Sequence, residues 1–344
     1  MLDRLLEIPG LMAAYCLKAL SALLLAPASE LSIPSLFIAF VIAVGWLSRR
    51  HLRAGLPVRA RAVLRLVFPR RWWLSRSAWL DARLLLLNLL VFGVILTGAI
   101  ISHRVVSGGL GHLLAEAFGP ASPTGIPPLV GTVLLTVALF LAYELAYWVY
   151  HYLSHVVPAL WELHKVHHSA EVLTPLTNSR VHPLESLLLL NTMAVFLGVT
   201  DGAVTYLLGQ PTQQLTIANA NLIVVVFTYL IAHLHHTHVW IPFTGFWGKV
   251  LISPAHHQIH HSTNPVHFNK NMGSVLAIWD WLFGTLHIPA KNRERLTFGL
   301  GDGEVTEHTV TQELFRPVHA LAELSGATAS PARRSATDDA PARP

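Results

Sequence analysis

The fold turns on the stretch "IPPLVGTVLLTVALFLAYELAYWVYHYLSH", residues 126–155. After two prolines, residues 126–150 run almost wholly apolar, with Glu144 as their only charge. A helix needs roughly 20 such residues to cross a bilayer's hydrocarbon core. The run ends on His151 and His155, which stand one helical turn apart and therefore share a face. A span that delivers paired imidazoles to a membrane surface sets the question for the rest of the chain.

The composition agrees with a membrane setting. Of 344 residues, 53% are hydrophobic and 12% charged, with a mean hydropathy of +0.49. Soluble domains carry about a quarter charged residues. The net charge of +5 comes mostly from arginine between apolar spans, an arrangement ordinary in membrane loops and a poor sign of a nucleic-acid partner. The lone cysteine, Cys16, excludes a disulfide framework and cysteine-type zinc sites.

Five further segments are candidate spans: residues 11–26, 33–47, 80–102, 184–208 and 215–232. The first two read as a helical hairpin around "PASELS", not as a cleaved signal, because the first lacks a basic start. The fifth span is interrupted by "TDGA" and the sixth follows the turn "GQPTQQ". The expected fold is all-α: an integral-membrane helical bundle with about six apolar spans and a cytoplasmic histidine-rich helical cap. Residues 49–76 hold nine arginines and no acid, which assigns them to the cytoplasm. Counting spans from there makes the protein multi-pass with a cytoplasmic N-terminus, puts residues 103–125 outside, and brings both histidine-rich windows out on the cytoplasmic side. Residues 1–125 form N-terminal spans with the Arg-rich loop, 126–300 a catalytic domain, and 301–344 a C-terminal extension, disordered from about residue 325 because it is small, polar and Pro-rich.

Thirteen of the 21 histidines lie in two windows, residues 151–168 and 233–261. His164, His167 and His168 follow an i, i+3, i+4 pattern, and His257, His260 and His261 repeat it. Each set points its rings at one place if the segment is helical. Imidazole suits Zn, Cu, Fe and Ni. With His151 and His155, the converging rings exceed what one tetrahedral ion uses, so two ions are inferred.

"HYLSH", "HKVHHS" and "HHQIHH" resemble the three histidine boxes of the fatty acid hydroxylase and sterol desaturase superfamily of integral-membrane di-iron oxygenases. The resemblance covers about residues 143–300, through "LWELHKVHHSAEVLTPLTNSRVHPLE", "HTHVWIPFTGFWGKVLISPAHHQIHHSTNP" and "NKNMGSVLAIWDWLFGTL". The last segment is also similar to that of alkylglycerol monooxygenase and of bacterial sterol-desaturase-like proteins. Tyr152 departs from the pattern, which often has arginine there.

The resemblance implies that His151, His155, His164, His167, His168, His257, His260 and His261 bind metal, with His236 as a ninth ligand. It also draws attention to Glu144, Asn178, Arg180, His182 and Glu185 as residues that orient the ligands, with helix capping as the plainer role for His182. His256 reads as an orienting or polar helix-end residue. No catalytic residue beyond the metal centre and no organic cofactor site is expected. The implied cofactors are two iron ions, with zinc as a possible substitute, and O2 as co-substrate. The implied reaction is hydroxylation or desaturation of a lipid C–H bond, the lipid coming from the membrane. With no G-x-G-x-x-G fingerprint and no haem domain, electrons must come from a separate ferredoxin or cytochrome with its reductase. A membrane metal transporter and a zinc-dependent hydrolase are the alternatives. Transport sites usually lie at the bilayer midplane, and a zinc hydrolase normally keeps an acid between its ligands, which "HKVHH" and "HQIHH" lack.

Overall fold

The computed structural model describes residues 2–301 and 308–326, so most of the tail expected to be disordered lies outside the described residues. Helices dominate: α1 (Leu2–Leu25), α2 (Ile33–Arg53), α3 (Ala60–Val67), α4 (Arg70–Trp73), α5 (Arg76–Leu87), α6 (Gly93–Leu96), α7 (His103–Phe118), α8 (Pro128–Val156), α9 (Pro158–His168), α10 (Pro183–Leu208), α11 (Leu222–Leu230), α12 (Gly245–Val250), α13 (Pro254–His260), α14 (Ile278–Phe283) and α15 (Val310–Leu324). The strands β1 (Thr216–Ile217) and β2 (Ala220–Asn221) make one small antiparallel hairpin.

Among the described residues, three helices, α2, α8 and α10, are long and apolar enough to cross a membrane. Proline in the first turn starts each of them, where a missing N–H costs nothing. Ser32 caps α2 and His182 caps α10 by accepting from Ser35 N and Leu184 N. Gly209, in the left-handed region at φ 64°, ends α10. Large apolar side chains such as Leu129, Leu134, Leu190, Val199 and Leu207 remain exposed along α8 and α10, as lipid-facing residues would be.

The other expected spans take different forms. Segment 80–102 breaks into α5, a π turn at Asn88–Phe92, α6 and a 3-10 turn at Thr97–Ala99. Tertiary hydrogen bonds account for the break: the Tyr15 hydroxyl donates to Leu89 O at 3.0 Å, and Asn88 Nδ2 donates to Val181 O at 2.8 Å. The expected external connection, residues 103–125, contains α7, which lies against α10. A Cβ on Gly198 would sit 2.6 Å from His103 O, and one on Gly202 2.6 Å from Ser107 O. The "TDGA" of α10 is therefore not an interruption but the groove that admits α7, closed by a 2.7 Å hydrogen bond from Ser107 to Asp201. The sixth segment opens as the β hairpin, with Ala218 and Asn219 at positive φ, and leaves only the short α11 as an apolar helix.

The N-terminal hairpin differs most. Its turn was expected on the opposite side of the membrane, yet it lies beside the histidines: Ser35 Oγ is 3.2 Å from His233 Nδ1. From there α2 climbs along the cap. Ala39 and Ala43 pack with Leu234, Val239 and Ile241, and Trp46 Nε1 donates to Trp240 O at 2.9 Å. The amphipathic α12 and the aromatic α14 expose Phe246, Trp247, Trp281, Leu282 and Phe283, as residues lying along an interface would.

Candidate metal centre

Four segments carry imidazoles to one place. The last turns of α8 supply His151 and His155, and α9 supplies His164, His167 and His168. Helix α13 supplies His257 and His260, with His261 at its C-cap. His236 follows the 3-10 turn at Ala232–Leu234. Eight of these nine are buried, and His155 is half-buried.

The nine rings divide into two sets: His151, His155, His164, His168 and His260 in one, and His167, His236, His257 and His261 in the other. Within each set the ligand nitrogens lie within 4.8 Å of one another. His236 Nε2 is 2.9 Å from His257 Nε2, 3.2 Å from His167 Nε2 and 3.3 Å from His261 Nε2. His168 Nε2 and His260 Nε2 are 3.1 Å apart. The Nε2 atoms of His151, His155 and His164 are buried with no hydrogen-bond partner among the described residues. Such convergence of lone pairs, with the outer nitrogens held elsewhere, fits a bound cation.

The outer nitrogens explain the orientation. His151 Nδ1 donates to Met272 O at 2.8 Å and His260 Nδ1 to Lys270 O at 2.9 Å. His164 Nδ1 pairs with Glu185 Oε1 at 2.5 Å. Those bonds leave Nε2 of each ring facing inward. Burial, followed by the charge of neighbouring imidazoles, holds His164, His168, His236, His257, His260 and His261 well below the usual histidine range. Burial and then His151 lower His167 to about 3. These rings are neutral near pH 7, the form that binds metal.

Two buried acids shape the loop behind His151. Glu144 accepts from Val275 N and Leu276 N at 2.9 and 2.8 Å. Asp280 accepts from Met272 N at 2.7 Å, Gly273 N at 2.8 Å and Trp148 Nε1 at 3.2 Å. Together they clamp residues 272–276 to α8, and so hold the Met272 carbonyl against His151.

The remaining expected residues are placed as follows. Glu185 contacts a ligand ring directly. Arg180 grips the backbone of α9 from behind: its Nε donates to Val166 O at 2.9 Å and to Ser169 Oγ at 3.0 Å. His182 caps α10, and its Nε2 donates to Leu314 O at 3.1 Å. His256 turns inward on its own helix start, meeting Ser253 Oγ at 2.7 Å and Gly248 O at 3.1 Å. Asn178 is exposed and lines a cavity beside the rings. Residues missed from sequence include Asp280, the carbonyls of Lys270 and Met272, and Glu30. Asn269 and Asn271 carried a faint signal, since asparagine tolerates the positive φ of 56° and 58° found there.

A cavity of about 310 Å³ adjoins His164, His167 and His257 and extends between α8 and α10, past Tyr147, Leu190 and Met193. A second, also about 310 Å³, reaches His155, His168 and His260 past Trp161 and Phe268.

Residues 136–285, which hold all nine histidines, match the family model described as fatty acid hydroxylase. The chain is 27% identical to alkylglycerol monooxygenase of Danio rerio over 161 residues, 47% of this chain and 32% of that protein. It is 30% identical to the Homo sapiens protein of that name over 164 residues, with the same coverage. It is also 30% identical to ornithine lipid hydroxylase OlsE of Rhizobium tropici over 169 residues, 49% of this chain and 44% of that protein. The chain thus spans less than half the length of these curated relatives. No solved structure matches it.

Proposed function

We propose that this chain, whose residues 136–285 match the fatty acid hydroxylase family model, is a membrane-embedded, O2-dependent lipid hydroxylase of the fatty acid hydroxylase and sterol desaturase superfamily. Hydroxylation is preferred to desaturation because the relatives are named as a monooxygenase and a hydroxylase. The observation that carries the reading is the pair of all-imidazole sets beside a cavity walled by the membrane helices α8 and α10.

Each set would hold one ion, iron in the active form, with zinc able to substitute because imidazole accepts both. Bound iron supplies the reduction of O2 by external electrons and the oxidation of an unactivated C–H bond. The protein's part is positional. His151, His164 and His260 are fixed by their outer hydrogen bonds, and the buried loop clamped by Glu144 and Asp280 covers the back of His151. Tyr147, Leu190 and Met193 line an apolar approach from the bilayer, suited to a lipid more than to a solute. Electrons would come from a separate ferredoxin or cytochrome with its reductase. The catalytic unit is drawn at residues 126–300.

The direct test supplies iron-loaded protein in nanodiscs with a reductase system, O2 and a long-chain alkylglycerol or aminolipid, and follows O2 uptake and lipid mass. Oxygen-dependent gain of one oxygen atom by the lipid is expected. Hydrolysis without O2, or metal movement across a vesicle wall, would replace this reading with the hydrolase or the transporter.

We further place residues 49–76 and the histidine centre in the cytoplasm. The Arg-rich segment and the cap are packed together, His238 Nε2 donating to Leu66 O, which ties their sidedness. A reporter fused after Arg76 should read as cytoplasmic, and an external signal would reverse the assignment.

A further inference from the structure

The turn between α1 and α2 brings a carboxyl group to the cavity of the metal centre. Glu30 lines the same roughly 310 Å³ space as His164 and His167, together with Tyr143 and Tyr147 of α8 and Met193 of α10. Leu189, Leu190 and Met193 form the apolar part of that lining, and five histidines, Asn178 and Glu185 much of its polar part. Burial raises the Glu30 carboxyl to about 7, and among the described residues no side chain or backbone N–H donates a hydrogen bond to it. Glu185, the other carboxylate of the cavity, is already engaged with His164. Glu30 is not a member of either imidazole set.

A half-buried carboxyl with no hydrogen-bond partner among the described residues is costly, and the cost is removed when a donor binds it. Nothing in the fold of the turn requires an acid at this position: Ser32 supplies the cap of α2, and Ser29 Oγ closes the turn by donating to Leu23 O at 2.6 Å. Glu30 also lies outside residues 136–285, so it is added to the shared domain by the N-terminal hairpin.

We propose that Glu30 is a substrate-positioning residue: it accepts a hydrogen bond from a donor on the lipid's polar end, a hydroxyl or an ammonium group, and so presents a carbon near that end to the metal centre. This rests on reading the cavity as the lipid site. It narrows the substrate class to lipids with a free donor close to the oxidised carbon. Lipids whose polar end offers acceptors alone would bind without this anchor.

The test measures binding as well as turnover. Full-length protein in nanodiscs is titrated with a long-chain 1-O-alkylglycerol, its di-O-methyl ether, a long-chain alkylamine and its N,N,N-trimethylated quaternary form, followed by thermal shift and native mass spectrometry. Glu30→Leu should weaken the donor-bearing lipid about ten- to a hundredfold, the span for a hydrogen bond to a charged group. It should leave the donor-free counterpart and the metal content unchanged. Glu30→Gln, which still accepts a hydrogen bond but carries no charge, should retain most alkylglycerol binding and weaken the alkylamine. The proposal is overturned if Glu30→Leu binds both donor-bearing lipids as the wild type does, or if it loses donor-free lipids equally. If the wild type binds none of the four lipids, the lipid-site reading fails first and the proposal fails with it.

Discussion

His167→Ala and His260→Ala should each cut metal content from about two ions per chain to about one, and each should reduce turnover by more than about a hundredfold. That threshold is the upper end of what losing a supporting hydrogen bond costs, so a ligand must exceed it. The two residues were chosen because they belong to different sets, His167 with His236, His257 and His261, and His260 with His151, His155, His164 and His168. Glu185→Gln should fall below the threshold, since it alters only the partner of His164 Nδ1. His319→Ala, at an exposed position on α15, serves as the control. Elemental analysis of fully loaded protein decides the matter. Two ions retained in both variants, or an equal loss in His319→Ala, would show that the sets are not where the metals bind.

The histidines were legible because helical spacing is a local property. An i, i+3, i+4 pattern puts rings on one face whatever the tertiary fold, and α9 and α13 are helical where the pattern demands it. His236 had no such signal, since it follows a 3-10 turn and needed the family resemblance to be noticed. The supports of the rings were legible only when they were side chains. Glu185 could be named in advance, whereas the carbonyls of Met272 and Lys270 could not, because every residue carries one. The spans at α2, α8 and α10 were legible, and the segment at 80–102 departed from its expected form for a related reason. Hydropathy sees residues 80–102 as one apolar run, but Tyr15 and Asn88 bond to distant carbonyls and break it. Gly202 reads as a helix breaker in isolation, yet it is buried against Ser107, where only a hydrogen fits. Glu30 was invisible because its meaning depends on where the hairpin turn is docked.

Arg180→Met should destabilise the protein by about 3–5 kcal/mol, the usual cost of leaving buried charges without their partner. Arg180 is fully buried, its NH1 donating to Asp81 Oδ1 at 3.0 Å and its NH2 to Glu313 Oε1 at 3.1 Å. Asp81 lies on α5, Glu313 on α15, and the backbone that Arg180 Nε grips belongs to α9, so one guanidinium joins three segments distant in sequence. Against a typical total of about 5–15 kcal/mol, that loss is a large fraction. Arg180→Lys should rescue little, because one ammonium cannot replace a planar fork that reaches Ser169, Asp81 and Glu313 together. The triple variant Arg180→Met, Asp81→Asn, Glu313→Gln should recover part of the loss by removing the stranded charges. Thermal midpoints in one detergent compare these proteins, and Arg180→Met within about 1 kcal/mol of wild type would overturn the assignment. The damage should also reach the metals. Helix α9 gives His167 to one set and His164 and His168 to the other, so a shift of this single helix disturbs both ions at once. Metal content should therefore fall in Arg180→Met although its side chain binds no metal, and should return in the triple variant as the midpoint does.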